Sequence, residues 1–227
     1  MPGRQKQPAP TTVVFVRHGL TPTTGKEMPA GGSGPELSDV GRQQAREAGE
    51  LIAEWRPTLA PLAGIYTSPL ARTKQTAAII GQALGLEPSE SPALADCDAG
   101  DWAGVALKEL NKKPEWPTVV HHPSWFVFPG GESLAGMQQR ALAEVRRLVA
   151  DHPGHTVVAV SHADPIKAVV ADAMGMHLDL FQRLAISPAS VSAVVYSAMG
   201  PSVLMINWTG PTSRRAPSPA NKERRRR

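Results

Sequence analysis

The sequence predicts an α/β fold, a three-layer α/β/α sandwich with a mostly parallel central sheet. Two short runs of β-branched and apolar residues, TTVVFV at 11–16 and HTVVAV at 155–160, are typical of strands that are buried on both faces. Segments with apolar residues at spacings of three and four separate the strand-like runs, which is the pattern of amphipathic helices. Because strands alternate with helices, parallel strands joined by helical crossovers are the expected architecture.

Capping residues mark where helices begin and end. Ser38 or Asp39 is expected to cap the first helix, which carries an apolar face. Ser68 is expected to be the N-cap of the second helix, with Pro69 in its first position and Gly85 at its C-terminus. Other patterns predict an irregular stretch at 91–130, helices from 130–133 onward and at 163–174, and strands at 63–67, 190–196 and 203–206.

Length and charge predict a single domain with charged or polar ends. The 227 residues suit one domain at 11–210, preceded by a disordered N-terminus at 1–10. Residues 211–227 hold seven of the 24 basic and one of the 20 acidic residues, so the remainder carries 17 basic and 19 acidic ones. We expect this basic tail to be disordered, and we expect nucleic-acid binding only through it.

Cysteine content and hydropathy exclude several classes of protein. Cys97 is the one cysteine, so neither an intramolecular disulfide nor a four-cysteine zinc site can form. The first ten residues are polar and rich in proline, unlike a secretory signal. No apolar run approaches the roughly 18 residues that a membrane span needs. We expect a reducing, cytoplasmic location and no membrane partner.

Two predicted strands end in a histidine. Arg17 and His18 follow the first strand, and Ser161 and His162 follow the later one. Ligands of open parallel sheets bind beyond the carboxyl ends of the strands, at the point where the strand order reverses. One such histidine alone is more often structural, but two at equivalent positions predict a shared crevice.

The residues around these histidines indicate a phosphate-type ligand. Arg17 precedes His18, and Arg72 lies in the first turn of the second predicted helix. The planar guanidinium group offers donors that suit phosphate oxygens. Gly19 lets the backbone approach closely where a Cβ would intrude.

A series of short motifs occurs in order along the chain. The first is Arg17-His18-Gly19, and the others are LSDVG at 37–41, TSPLARTKQTA at 67–77, GDWAG at 100–104, GGES at 130–133 and SHA at 161–163. The ordered set resembles the histidine phosphatase superfamily (phosphoglycerate mutase-like, branch 1), and the similarity covers about residues 11–208. Among the branches of this family the chain is most similar to an actinobacterial group of phosphatases and phosphomutases.

The resemblance implies a role for each catalytic residue. His18 is the expected nucleophile, and Arg17, Arg72 and a cationic His162 are expected to bind the phosphoryl group. The family usually has a Glu four residues before the glycine of its G-x-W-x-G segment, and here this position is Asp96. Asp96 is therefore the first candidate for the proton donor, and Asp98 is the second.

The remaining expectations concern the ligand. The predicted substrate is a small phosphorylated molecule, with no cofactor and no metal; a homodimer is left open. Thr24 stands where the family often has an Asn that contacts phosphate, and Thr21 is an alternative donor. The segment 108–128 is aromatic, and either a substrate-side wall or a separate core beneath a long loop explains it. The residues assigned to substrate binding are Gly19, Thr21, Thr24, Glu132 and Ala163.

Three alternatives to a phosphatase remain. A phosphoglycerate-type mutase needs extra cations for a substrate carboxylate, and the 105–129 segment has only three strong ones. A zinc hydrolase could use His18 and His162 with an aspartate, but no ligand spacing of that type occurs and Arg17 opposes a dication. A non-catalytic module that binds phospho-ligands or nucleic acid is the third.

Overall fold

The computed structural model describes residues 8–30 and 34–210, and its centre is a six-stranded sheet. In spatial order the strands are β3-β2-β4-β1-β5-β6. The first four are parallel to one another, and the hairpin β5–β6 joins antiparallel at one edge. The strand bounds are β1 Thr11–Arg17, β2 Leu62–Thr67, β3 Pro88–Glu90, β4 Thr156–Ser161, β5 Val191–Ser197 and β6 Gly200–Trp208.

Helices cover both faces of this sheet, which confirms the predicted sandwich. Alternate residues of β1 point to opposite sides, as the period of a strand requires. Val14 and Val16 pack with helices α1 and α2, whereas Val13 and Phe15 pack with α5 and α6. The helix bounds are α1 Asp39–Trp55, α2 Ala71–Leu84, α3 Leu107–Leu110, α4 Trp116–His121, α5 Leu134–Asp151 and α6 Ala163–Ala173.

A third core lies under the long connection between β3 and α5. Trp102 is buried there against Phe126 and Phe128, with ring centroids 5.4 and 5.7 Å away. Val119 belongs to the same cluster, while the Trp125 side chain is 84% exposed. Of the two explanations for this aromatic segment, the separate core is the one that the structure supports.

Helix starts differ from the prediction in one place that matters for the site. The Ser38 side chain caps α1, accepting from the Gly41 backbone N–H, as predicted. The prediction that Ser68 caps α2 is wrong, because α2 begins at Ala71 and its N-cap position is Leu70. The Ser68 hydroxyl is instead bound to His162.

Short elements account for the other differences. The sequence gives no sign of β3, a three-residue edge strand that begins with a proline. The stretch predicted as irregular contains α3 and α4 and several 3-10 turns. The predicted tail at 211–227 and the first seven residues lie outside the described residues. In the part of the chain that the structure describes, no helix combines the length and the apolar character needed to cross a bilayer.

Candidate active site

The two histidines meet at the carboxyl edge of the sheet because their strands are paired neighbours. In the parallel register of β1 and β4, Arg17 lies opposite Ser161. The residues that follow them, His18 and His162, therefore lie side by side. The rings of His18 and His162 have centroids 5.2 Å apart. Strand β2 lies on the other side of β4 and ends one residue before Ser68. The sheet order therefore brings together three strand ends.

The tautomer of His18 is fixed by its own neighbour. The Nδ1 atom lies 2.8 Å from the carbonyl oxygen of Gly19, and because a carbonyl can only accept, Nδ1 carries the proton. Burial lowers the pKa of His18 well below its ordinary value, and His162, Arg17 and Arg72 lower it further. The imidazole is therefore neutral, with an unprotonated Nε2.

Gly19 is needed for packing against helix α1. A Cβ at Gly19 would collide with the backbone carbonyl of Gly41, and a Cβ at Gly41 would collide with the carbonyl of Leu20. The backbone approach predicted at Gly19 is thus to the first turn of α1. This contact holds the loop whose Gly19 carbonyl orients His18.

Both arginines keep donors without a protein partner. Arg17 donates from Nη1 to the carbonyl of Ile186 at 2.7 Å, and Arg72 donates from Nη2 to Asp96 at 3.3 Å. Arg17 Nε and Arg72 Nη1 are buried and have no hydrogen-bond partner among the described residues. Burial lowers the pKa of both groups, but guanidinium remains cationic in proteins. These donors suit an oxyanion.

His162 lies behind this pair and is held by Ser68. Its Nε2 lies 2.8 Å from the Ser68 hydroxyl, and its Nδ1 lies 3.5 Å from Asp96 Oδ2. Burial lowers the pKa of His162 well below its ordinary value, and Arg72 and Arg17 add to this. The lowered pKa disfavours the cationic form that was expected for His162, because the ring is fully buried and lies near two positive charges.

Asp96 occupies the position expected for a proton donor. Its side chain is 13% exposed and lies between Arg72 and His162. Burial raises the pKa of this carboxyl, although the Arg72 and Arg17 charges partly oppose the rise. Asp98, the second candidate, is exposed, and its Oδ1 accepts from the Gly100 backbone N–H at 3.0 Å. Asp98 therefore serves a turn rather than the cavity.

Arg140 holds the segment that carries Asp96. Its guanidinium group donates all five of its N–H bonds: two to the Glu132 carboxylate, at 2.7 and 2.8 Å, and three to backbone carbonyls. The carbonyls belong to Ala93, Ala95 and Asp96, each at 2.8 Å. Glu132, expected to bind substrate, is thus the partner of Arg140 and does not line the cavity.

A cavity of about 150 Å³ opens at this edge. Of the residues predicted to be catalytic, His18, Arg17, Arg72 and Asp96 line it, whereas His162 does not. Of the residues assigned to substrate binding, Thr21, Thr24 and Ala163 line it, whereas Gly19 and Glu132 do not. Thr21 and Thr24 are joined through their hydroxyls at 2.8 Å, and Thr24 also accepts from the Thr21 backbone N–H.

Sequence reasoning missed four residues of this site. Glu27 and Asp164 line the cavity, Ser68 holds His162, and Arg140 holds the Asp96 segment. Asp164 could have been found from its place two residues after His162, in the first turn of α6. Ser68 and Arg140 required the fold, because their partners are distant in sequence. Glu27 could be assigned only from the lining of the cavity.

Comparison with known proteins identifies the family. The sheet order and the paired histidines are those of a phosphoglycerate mutase-like α/β protein. Residues 13–209 match the model of the histidine phosphatase superfamily (branch 1), and the chain belongs to this family. Members of this kind carry phosphatase or mutase activity, according to the names of the relatives.

Two curated relatives and one solved structure illustrate the similarity. A bifunctional protein of Mycobacterium tuberculosis is 30% identical over 203 residues, which are 88% of this chain and 55% of that protein. The chain thus spans about half the length of this relative. Phosphoserine phosphatase 1 of Hydrogenobacter thermophilus is 32% identical over 77% of this chain and 82% of its own. The structure of Bacillus stearothermophilus YhfR is 27% identical, with a TM-score of 0.77 over 87% of this chain and 97% of that one.

Proposed function

We propose that this chain hydrolyses a phosphomonoester through a phosphohistidine on His18, without a metal ion or cofactor. The observation that carries the proposal is the state of His18: a neutral imidazole with Nδ1–H bound to the Gly19 carbonyl, beside two arginines with free donors. A nucleophilic imidazole needs this tautomer and protonation state.

In the first step, Nε2 of His18 attacks phosphorus. The new P–N bond forms as the bond from phosphorus to the leaving oxygen breaks. The protonated carboxyl of Asp96 gives its proton to that oxygen, so the leaving group departs as a neutral alcohol. Arg17 and Arg72 neutralise the charge on the phosphoryl oxygens, which is the main requirement of phosphoryl transfer.

In the second step, the Asp96 carboxylate takes a proton from a water molecule, whose oxygen attacks phosphorus. The P–N bond breaks, inorganic phosphate leaves, and Asp96 is again protonated. The same residue therefore serves as acid and then as base. Its raised pKa favours the protonated form that the first step requires.

Hydrolysis is favoured over a mutase reaction by the positions of the lysines in the 105–129 segment. Lys112 pairs with Glu109 at 2.8 Å, and Lys113 lies 5.6 Å from the centroid of the Trp102 ring. Neither these two nor Lys108 is among the residues that line the described cavity. A phosphoglycerate has a carboxylate that needs such a cation.

A metal-ion mechanism is disfavoured by the charges at the site. In the described ranges, 8–30 and 34–210, no group of three or more His, Cys, Asp or Glu side chains is arranged to hold a metal ion. Arg17 and Arg72 already supply positive charge at this position, and they would repel a divalent cation.

The test is release of inorganic phosphate from p-nitrophenyl phosphate and from a panel of metabolite phosphates. We expect hydrolysis by the wild-type protein in excess chelator and none by His18→Ala. His155→Ala, an exposed histidine whose Nδ1 bonds the Pro153 carbonyl, is the matched control and should behave as wild type. Efficient phosphoryl transfer between substrate positions with little free phosphate would instead indicate a mutase.

A further inference from the structure

We propose that the substrate is a phosphomonoester whose leaving group carries no negative charge, so that uncharged and amino-bearing alcohols are selected over carboxylate-bearing ones. This inference rests on the proposed phosphatase function, and names the substrate class of that same cavity. It is based on the charged residues that remain in the cavity lining once the two arginines have bound the phosphoryl group.

The cations that line the cavity are both needed for the phosphoryl group. Arg17 and Arg72 are the two that line it among the described residues, and each keeps one unpartnered buried atom. A phosphomonoester is close to dianionic near neutral pH. Two guanidinium charges therefore balance the phosphoryl group, and the described lining contains no further arginine or lysine for a second anion.

The other charged residues in the lining are acidic. Glu27 is exposed at one side of the cavity, and Asp164 lies at another, in the first turn of α6. The rest of the outer lining is uncharged: threonines, glycine, and the apolar stretch Met28, Pro29 and Ala30. A leaving group in this region contacts hydroxyls, apolar surface and carboxylates.

The lysines near the cavity are paired with other groups of the protein, and one of these groups is the lining residue Asp164. Lys26 Nζ donates to the Pro22 carbonyl at 2.8 Å. Lys167 Nζ donates to Gln182 at 2.8 Å and to Asp164 at 3.3 Å, and neither lysine lines the cavity. Residues 31–33, Gly-Gly-Ser, contribute no charge by their identity. Within the described part of the chain, a substrate carboxylate would therefore lose water without gaining a cation from the lining.

The physical consequence is discrimination by repulsion and by desolvation. A carboxylate placed near Glu27 or Asp164 meets a like charge, and a buried, unpaired carboxylate costs free energy. An ammonium group in the same place is attracted to both. Hydroxyl groups of a neutral leaving group can bond to the threonines of the rim.

Two matched substrate pairs test this directly. In the first pair, phosphoserine has a carboxylate that phosphoethanolamine lacks. In the second pair, 3-phosphoglycerate has a carboxylate where glycerol 3-phosphate has a hydroxymethyl group. We expect kcat/KM to be higher for the carboxylate-free member of each pair, by about tenfold or more, since a site that leaves a polar group unpaired rejects it strongly. Equal values, or preference for the carboxylate-bearing member, would overturn the inference.

Charge-neutral variants show whether the two acids cause the preference. In Glu27→Gln combined with Asp164→Asn, the ratio within each pair should fall several-fold towards one. Glu87→Gln removes an exposed carboxylate outside the cavity lining and should leave the ratio unchanged. An unchanged ratio in the double variant would contradict the inference.

Failure of the proposed function would look different. If p-nitrophenyl phosphate and all four esters release no phosphate, the phosphatase function fails and the inference fails with it. If p-nitrophenyl phosphate is hydrolysed but the pairs show no preference, only the inference fails.

Discussion

The Oδ2 atom of Asp96 lies 3.5 Å from Nδ1 of His162, and burial shifts their pKa values in opposite directions. The pKa of the carboxyl is raised and that of the imidazole is lowered. Both shifts favour a proton on Asp96 over one on His162 more than the ordinary pKa values of the two groups do. In the mechanism that we propose, Asp96 is the acid for the leaving oxygen, and the predictions on Asp96 and Arg140 depend on this role.

Removing the Asp96 carboxyl should slow mainly the hydrolysis of substrates whose leaving group needs a proton. In Asp96→Asn, kcat/KM for an alkyl phosphate should fall by about 10²–10⁴-fold, the usual contribution of general acid catalysis. With p-nitrophenyl phosphate, whose leaving group needs no proton, the fall should be much smaller. Asp98→Asn is the control, because Asp98 only caps a turn. Equal losses on both substrates would show that Asp96 is not the acid.

The pH dependence of kcat/KM should be bell-shaped and displaced to the acidic side. Protonation of His18 removes the nucleophile, and because the pKa of His18 is lowered, this loss occurs below the ordinary histidine range. Deprotonation of Asp96 removes the acid, and because its pKa is raised, this loss occurs above the ordinary aspartate range. With an alkyl phosphate, Asp96→Asn should flatten the alkaline limb and keep the acidic one. An alkaline limb that persists unchanged in the variant belongs to another group.

Arg140 is predicted to position Asp96 without touching the substrate. In Arg140→Lys the charge stays, but the fork that joins Glu132 to three carbonyls is lost. We expect kcat for an alkyl phosphate to fall by about tenfold or more, since misplaced catalytic groups are costly, with KM little changed. The loss in kcat/KM should be smaller with p-nitrophenyl phosphate, because phosphoryl transfer from this substrate to His18 needs no acid.

The control for Arg140 lies on the same helix. Arg147→Lys alters an arginine that pairs with Glu144 and Asp151 at 2.7 Å, away from the cavity. Its kinetics should match wild type on both substrates. If Arg140→Lys lowers the activity on both substrates equally and also lowers the free energy of unfolding, Arg140 stabilises the protein in general and does not place Asp96.

The contact between the first loop and α1 should tolerate no added methyl group. Gly41→Ala forces a Cβ into the Leu20 carbonyl, so we expect a loss of about 1–3 kcal/mol in unfolding free energy, as overpacking usually costs. Activity should fall as well, since this loop carries the Gly19 carbonyl that orients His18. Gly64→Ala, whose Cβ would meet no atom closer than 3.4 Å, is the control. Urea unfolding of both variants gives the comparison, and equal stability would contradict the packing argument.

The sandwich and the inner residues of the site could be predicted because both depend on local signals. The buried strands are continuous apolar runs, and their ends place His18 and His162 at one edge once the sheet is parallel. The ordered motifs gave the family, which the comparison confirmed.

What could not be predicted depends on partners that are far apart along the chain. Ser68 looks like a helix cap from its neighbours, yet its hydroxyl is bound to His162, 94 residues away. Glu132 looks like a substrate ligand within its motif, yet its carboxylate is occupied by Arg140. The lowered pKa of His162 follows from burial and from two guanidinium charges, which local sequence does not encode.

The most direct test of the account is to trap the covalent intermediate. Acid-labile, base-stable phosphate should appear on the wild-type protein when it is mixed rapidly with substrate and denatured under alkaline conditions, and fragmentation should assign it to His18. Asp96→Asn should accumulate more of it with p-nitrophenyl phosphate, because the base for the second step is missing. Turnover by the wild-type protein with no phosphohistidine, or with the phosphoryl group on another residue, would contradict the central claim.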